Sequence, residues 1–578
     1  MAASLLRVAH TVLSRRVPLA RKYLSTTTTF VSTPIFYVNA EPHIGHLYTA
    51  VLTDAYARWS RLRGSKTLFS TGTDEHGLKV QEAAEKAGLP PGVFCDDVSK
   101  KFKSTFDNFD ITYDDYVRTT EPRHHAAVKK LWDKLWEQGH IYLGKHEGWY
   151  CTSDEAFLTD TQVETKVCAA TGKEERISVE SGHPVVWLSE ENFKFRLSAF
   201  QKPLLDWLDG SGGEALPVVY PESRRNEVRE FVSGGLHDLS ISRKREDVKW
   251  AIPVPESTSE EESEHSIYVW LDALTNYLTV TGYGQEGLSD DPQPSYWPAT
   301  CHVVGKDILR FHAVYWPAFL MAAGLKLPER IVAHGHWTVD RIKMSKSLGN
   351  VVKPEYLKDK YGVDPVRYFL LRDGGLGADG DFNEGHLEMR RDSELADTLG
   401  NLFTRATGKK ILPTMALPPC CGLAELREQD ISLRESLANL ENDVPEMYQR
   451  MEFGRALRAV MDVLRQTNRY FASEEPWNLR KLGKGDGTAA EEASARADTV
   501  LYHTLESIRI CAIYLQPVVP TAAAKLLDFM NASDEERMVT PGRDNLTVSR
   551  QDGIPLGTSD GGKNTGKLSF ILFDKTTP

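Results

Sequence analysis

Residues 29–77 read TFVSTPIFYVNAEPHIGHLYTAVLTDAYARWSRLRGSKTLFSTGTDEHG, a pattern that predicts strand, helix and strand joined by short loops. Residues 29–37 are apolar, β-branched and aromatic, and the turn-forming Asn39-Ala40-Glu41-Pro42 follows, so a buried strand is expected. Across 46–63, Leu47, Ala50, Val51, Ala55 and Trp59 recur at helical spacing, and Gly64 ends the run. Residues 66–71 (KTLFST) form a second strand leading into Gly72-Thr73-Asp74-Glu75-His76-Gly77. Such a unit calls for a parallel sheet with crossover helices, whose ligands bind at the carboxyl ends of the strands. The expected class is α/β: a Rossmann-type, doubly wound parallel-sheet domain.

On either side the pattern changes. Residues 1–28 hold Arg7, Arg15, Arg16, Arg21 and Lys22 and no acid; the first acidic residue is Glu41. An Arg- and Ser-rich, acid-poor leader has the composition of a mitochondrial transit peptide, which places the protein in the mitochondrial matrix; a basic disordered arm has the same composition. Its removal would take the formal charge from −12 to −17. The first half of the sheet domain is assigned to 29–142. Residues 143–235, opening near Trp149-Tyr150-Cys151, break the alternation and read as a connective insertion. Strands are expected to resume at 266–270 (SIYVW) and 301–304 (CHVV) in a second half, 236–325. A loop-bearing region, 326–388, leads to a helical bundle at 389–535 and a Gly/Asp/Ser-rich tail at 536–578.

A chain of 578 residues is too long for one core. No stretch approaches 18 apolar residues in a row, so no membrane partner is expected. Seven cysteines without repeated spacing argue against a disulfide framework. An acidic total does not exclude a local basic groove.

Two short stretches carry chemistry. His43-Ile44-Gly45-His46 stands where strand becomes helix. A helix start offers free N–H groups and a positive dipole end to a triphosphate, and Gly45 lets backbone approach a nucleotide. His43 and His46, three apart, face one way and can donate to phosphate oxygens. By itself this tetrapeptide also fits a metal pair or a helix cap. Lys343-Met344-Ser345-Lys346-Ser347 puts two lysines in a small polar loop, able to bracket a pyrophosphate leaving group or simply to form a charged surface turn.

Together, and in this order, the two resemble the HIGH and KMSKS signatures of class I aminoacyl-tRNA synthetases. From about residue 29 to 530 the chain resembles the methionyl-tRNA synthetases within that class. Ile35-Phe36-Tyr37-Val38-Asn39, Gly72–Gly77, Ile241-Ser242-Arg243, Tyr268-Val269-Trp270-Leu271-Asp272-Ala273, Gly305-Lys306-Asp307-Ile308, Phe311-His312 and His334-Gly335-His336-Trp337 carry the likeness. The resemblance implies ATP, with Mg2+, as co-substrate and L-methionine and its tRNA as partners. It implies catalysis by His43, His46, Lys343 and Lys346, and ATP contacts from His43, Gly45, His46, Gly305, Asp307, His336, Trp337 and Lys346. For methionine it implies Asp74 as ammonium anchor, Arg243 as its ion-pair partner, and a pocket of Ile35, Tyr37, Trp270, Ala273, Leu274, Tyr277, Ile308, His312 and Trp316. Read as residues alone, Asp74 could equally cap a turn and the aromatics could be core. Leu274 departs from the proline that many bacterial relatives carry.

Those relatives often hold zinc in the insertion with paired Cys-x-x-Cys. Here Cys151-Thr152-Ser153-Asp154 and Cys168-Ala169-Ala170-Thr171 have each lost the second cysteine, so no structural zinc is expected, although His183 and Asp154 could in principle complete a site. In the helical region Leu395, Leu399, Leu402, Phe403 and Ala406 share a face, with Asn401 and Arg405 roughly opposite. A tryptophan beside a rigid proline, Pro476-Trp477, can stack an unstacked base or serve as core. The resemblance implies Asn401, Arg405, Pro476 and Trp477 as anticodon readers, with Arg390, Arg391, Lys409 and Lys410 adding positive charge. No dimerisation module is recognisable after the bundle, so a monomer is expected. Isoleucyl, leucyl and valyl enzymes carry a larger insertion, and cysteinyl enzymes a zinc-binding cysteine cluster. A catalytically inactive relative acting as an RNA-binding partner, or another synthetase of this subclass, is the alternative function.

Overall fold

The computed structural model describes residues 28–539, apart from 152–155, 159, 168–173, 180–181, 211–215, 256–263, 286–290, 294, 345–348 and 420–425, together with 554–557 and Phe573. Residues 1–27 of the leader, and Lys346, therefore lie outside the described residues.

Seven parallel strands form the central sheet: β1 (Thr28–Ser32), β2 (Phe36–Tyr37), β3 (Lys66–Asp74), β4 (Asp115–Arg118), β5 (Val219–Tyr220), β6 (Cys301–Gly305) and β7 (Ile331–His334). Their order is β5-β7-β6-β1-β3-β2, with β4 also on β3. The chain builds outward from β1 on one side and returns on the other, so a crevice opens where the order reverses, at the carboxyl ends of β1 and β6. Thr28, counted above in the leader, already pairs with Lys66. Residues 29–37 are not one strand. Pro34 has no N–H for the ladder, and Thr33-Pro34-Ile35 interrupts it, so that Pro34 and Ile35 face the crevice.

Helix α1 (Ile44–Leu62) follows and is sealed beneath the sheet by Leu47, Val51, Ala55 and Trp59, all fully buried. Helix α2 (Pro122–Glu137) leads to the insertion. There 141–151 and 186–195 form a long antiparallel pair. Val219–Tyr220, within the stretch read as insertion, pairs with β7 of the main sheet, whereas Leu239–Ser240 pairs with the insertion's strand. The expected strand at 266–270 is a correction. Only His265–Ile267 is extended, and it pairs antiparallel with Ser242–Lys244 outside the main sheet. Val269 and Trp270 begin a helix, α3 (Val269–Leu274), and α4 (Asn276–Thr279) continues it, because α3 packs Leu271, Asp272 and Leu274 inward at helical spacing.

Helix α5 (Val363–Asp373) packs on α1. Arg367 of α5 and Asp54 of α1 make a fully buried ion pair at 2.6 Å, and the Asp54 carboxyl, which burial alone would raise, is held below its usual range by Arg367 and Arg58. Residues 390–400 wind more widely than an α-helix before α6 (Asn401–Ala406), and Leu395, Leu399, Leu402, Phe403 and Ala406 are all buried, as their spacing predicts. Helices α7 (Phe453–Glu474) and α8 (Pro476–Leu482) meet at Glu475, a left-handed residue with φ 45°. Arg391, expected to add local positive charge, is buried beside Asp392 and the Tyr361 ring, and Arg390 is paired with Asp373 and Glu394. Lys409 and Lys410 are exposed. Among the described tail residues, Ile554 and Leu556 bond back to Leu417 and Met415.

Candidate active site

A cleft of about 410 Å³ lies over the carboxyl ends of β1, β3, β6 and β7. One end of it is the start of α1. His43 caps the helix: its Nδ1 accepts from the Gly45 N–H at 3.0 Å, and its own N–H donates to His46 Nδ1 at 3.2 Å. The rings stack at 3.8 Å. Because both Nδ1 atoms accept, each ring is neutral and carries its proton on Nε2, a donor of the kind an anion in the cleft would take. Burial, reinforced by the neighbouring His43, drives the His46 pKa well below its ordinary value, so this imidazole acts as a neutral donor and not as a cation. A Cβ on Gly45 would come within 2.8 Å of His43 Cε1, so the cap itself requires glycine there.

The opposite wall is Gly305 and Asp307 after β6, and His334 to Trp337 after β7. Asp307 pairs with His336 at 3.1 Å. Trp337 is buried edge-on to Tyr48. A Cβ on Gly335 would meet the Ala378 carbonyl at 2.2 Å. His334 donates from Nδ1 to the Gly335 carbonyl and meets Thr49 Oγ1 at 2.9 Å, which ties this wall to α1; burial lowers its pKa to about 4. Met344, of the lysine loop, also lines the cleft. The backbone of Lys343 pairs with Thr338.

The other end is smaller and aromatic. Asp74, at the last position of β3, is buried and lines the cleft with Ile35 and Tyr37. Trp270 stacks flat on Phe311, 3.6 Å between centroids. Tyr277 and His312 meet at 2.7 Å. His312 Nδ1–H donates to the Ile308 carbonyl, so its Nε2 accepts the tyrosine proton. Both protons are thus used inside the protein, and a guest meets ring faces plus Ala273, Leu274 and Ile308, a lining suited to a soft thioether. Burial lowers the His312 pKa to about 4, which keeps this ring uncharged at neutral pH.

Class I synthetase sequences of the methionine type, described as "tRNA synthetases class I (M)", match residues 29–407 as a family, and an "Anticodon binding domain of methionyl tRNA ligase" matches 421–553. The chain is 45% identical to the mitochondrial methionine–tRNA ligase of Homo sapiens over 88% of its own length and 84% of that protein's. The chain belongs to the class I methionyl-tRNA synthetases. It is 42% identical to the methionine–tRNA ligase of Rickettsia felis, covering 88% of this chain and 93% of that one. The solved Mycobacterium tuberculosis methionyl-tRNA synthetase in complex with methionyl-adenylate superimposes with a TM-score of 0.83 at 40% identity, over 93% of this chain and 99% of that one.

Two residues that the resemblance to methionyl-tRNA synthetases assigns to the substrate pocket are not among those lining the cleft. Trp316 is fully buried, 5.8 Å from the Tyr277 ring. Arg243 donates to Ser240 Oγ and to its neighbour's carbonyl, and lies over Tyr150 of the insertion and Tyr268 before α3. Conversely, Phe311 and His302, not predicted as site residues, shape the wall: His302 stacks on Tyr277 at 4.0 Å and bonds Ser32 of β1 at 2.8 Å. A lone buried histidine leaves no pattern in a sequence. In the helical part, Arg405 lies 5.7 Å over Trp477 and 5.0 Å over Phe471. Asn401 is exposed and Trp477 keeps 37% of its surface open. Cys151 is buried, Cys168 and Asp154 lie outside the described residues, and His183 is exposed. Among the described residues no group of three His, Cys, Asp or Glu side chains could hold a metal, and no helix is long and apolar enough to cross a membrane.

Proposed function

We propose that the protein activates L-methionine with ATP and transfers it to tRNA(Met) for translation in the mitochondrial matrix. The observation that carries this is one cleft joining a neutral imidazole pair at a helix start to a buried carboxylate and an uncharged aromatic pocket. The methionine carboxylate attacks the α-phosphorus of ATP, methionyl-adenylate forms, and pyrophosphate leaves; a hydroxyl of the terminal adenosine of tRNA then attacks the adenylate's carbonyl carbon, the methionyl ester forms, and AMP leaves. No side-chain nucleophile is needed, so the chain contributes position and charge. His43 and His46 donate from Nε2 to phosphate oxygens. Asp74 takes the substrate ammonium, and Lys343 and Lys346 draw off the pyrophosphate charge. Mg2+ would arrive on the nucleotide, since among the described residues Asp307 is the one carboxylate lining the phosphate end and is already engaged with His336. Asn401, Arg405 and Trp477 read the anticodon. The mitochondrial setting is supported by the leader's composition and the human relative's name.

The test is methionine-dependent exchange of pyrophosphate into ATP, followed by charging of tRNA(Met). An RNA-binding relative without catalysis would bind the tRNA and show no exchange.

A further inference from the structure

Asp272 sits behind the cleft. It lies on α3, whose other face presents Trp270 and Ala273 to the substrate pocket, and it is fully buried. An isolated carboxylate in such a place is costly, and an apolar residue would pack there more cheaply. Instead its two oxygens are each taken by an imidazole. His76 Nδ1 is 2.7 Å from Oδ2, and His124 Nε2 is 2.7 Å from Oδ1. His124, on α2, continues through Nδ1 to Thr279 Oγ1 of α4 at 2.9 Å. Burial pushes the Asp272 carboxyl up, but the two histidines more than offset it and keep it ionised.

His76 is two residues beyond Asp74, and the residue between them is held from the opposite side. Glu75 is fully buried; its carboxylate accepts from Arg118 at 2.7 and 3.0 Å and from the Thr120 hydroxyl at 2.6 Å. Trp250 closes the loop by donating to the Glu75 carbonyl at 2.6 Å. The short segment after β3 is thus clamped to β4 by Glu75 and to α3 by His76. Asp74 projects into the cleft at its start.

We propose that Asp272 is a positioning residue for methionine: acting through His76, it sets where the Asp74 carboxylate stands relative to the α3 wall, so that ammonium and thioether are gripped at one span. This rests on Asp74 being the ammonium anchor. Misplacing a reacting or anchoring group by about 1 Å can cost on the order of 10²-fold.

The experiment uses the full chain and three ligands: methionine, methioninol, which keeps the ammonium, and 4-(methylthio)butanoate, which lacks it. KM for methionine and ATP and inhibition constants for the analogues come from pyrophosphate exchange. Asp74→Asn first tests the anchor. It should weaken methionine and methioninol and spare the ammonium-free analogue. Equal loss for all three would overturn the anchor reading, and the proposal with it. Asp272→Asn, nearly isosteric, should show the same split, with about 10-fold or greater loss for the two ammonium ligands and about 2-fold or less for the analogue and ATP. The Asp74→Asn/Asp272→Asn double change should lose little more than Asp74→Asn alone. If Asp272→Asn fails to fold, His76→Gln decides by the same criteria. Uniform loss across ligands, or no loss, while Asp74→Asn keeps its split, overturns the positioning role and leaves the anchor standing.

Discussion

At the residue scale the cleft depends on hydrogen bonds that settle which atoms face the substrate. The two histidines of the first signature are three apart in sequence, which predicts a shared face. That each accepts at Nδ1, and so offers Nε2–H, comes only from the cap geometry. Gly45→Ala should therefore act through His43: the added Cβ falls 2.8 Å from its ring, the cap must open, and one preorganised donor is lost. Adenylate formation should slow by about 10²–10³-fold with methionine KM changed little. Single-turnover formation of the adenylate checks this, and an unaltered rate would contradict it. Lys346→Ala should have a similar signature under the proposed role, in which its charge acts only as pyrophosphate departs. Collapse of methionine binding with a normal rate for the bound complex would remove that role.

At the scale of elements, the junction of α6, α7 and α8 is where the expected anticodon readers meet. Pro476 starts α8 immediately after a left-handed residue, and this turn sets Trp477 against Arg405. A half-open indole with a guanidinium over it is a platform for one unstacked base, worth about 1–3 kcal/mol. Trp477→Ala should cut tRNA charging by about 5- to 150-fold at ~1.4 kcal/mol per decade, and leave pyrophosphate exchange nearly unchanged. Discrimination against tRNA with a replaced first anticodon base should weaken too; unchanged discrimination would mark Trp477 as packing. The insertion offers a second element-level test. With two cysteines where the paired motifs of the bacterial relatives supply four, it should work without zinc. Full activity after chelation and magnesium repletion is expected, and stoichiometric zinc in the purified protein would show otherwise.

Across the whole molecule, burial of neutral histidines makes stability depend on pH. His312, His334 and His503 are lowered to about 4, and His46 and His302 also lie well below their usual value, in each case by burial first. Unfolded, these rings titrate near about 6.5. Between those values the unfolded chain binds more protons, so stability falls as pH drops from about 6.5 towards about 4. Asp54 and Asp272, whose pKa values are lowered, hold their contribution until the pH falls below the ordinary aspartate range. Tm should therefore decline from pH 7.5 to 5, and His503→Gln, remote from the cleft, should shallow the decline; a flat profile would refute this. By itself the sequence determined the parallel sheet, the helical region and the identity of the chemistry. Each rests on local spacing: alternation of strand and helix, two short signatures, one apolar stripe. It misread 266–270 as a strand, because a short apolar run looks alike whether it is extended or helical and only packing against the core decides. Tertiary structure alone decided that Arg243 and Trp316 are left out of the cleft's lining and that Phe311 and His302 pack against residues that line it. It alone joined Asp272 to His76 and His124, 196 and 148 residues away. Contacts across such separations come from the path of the sheet and leave no period in the chain.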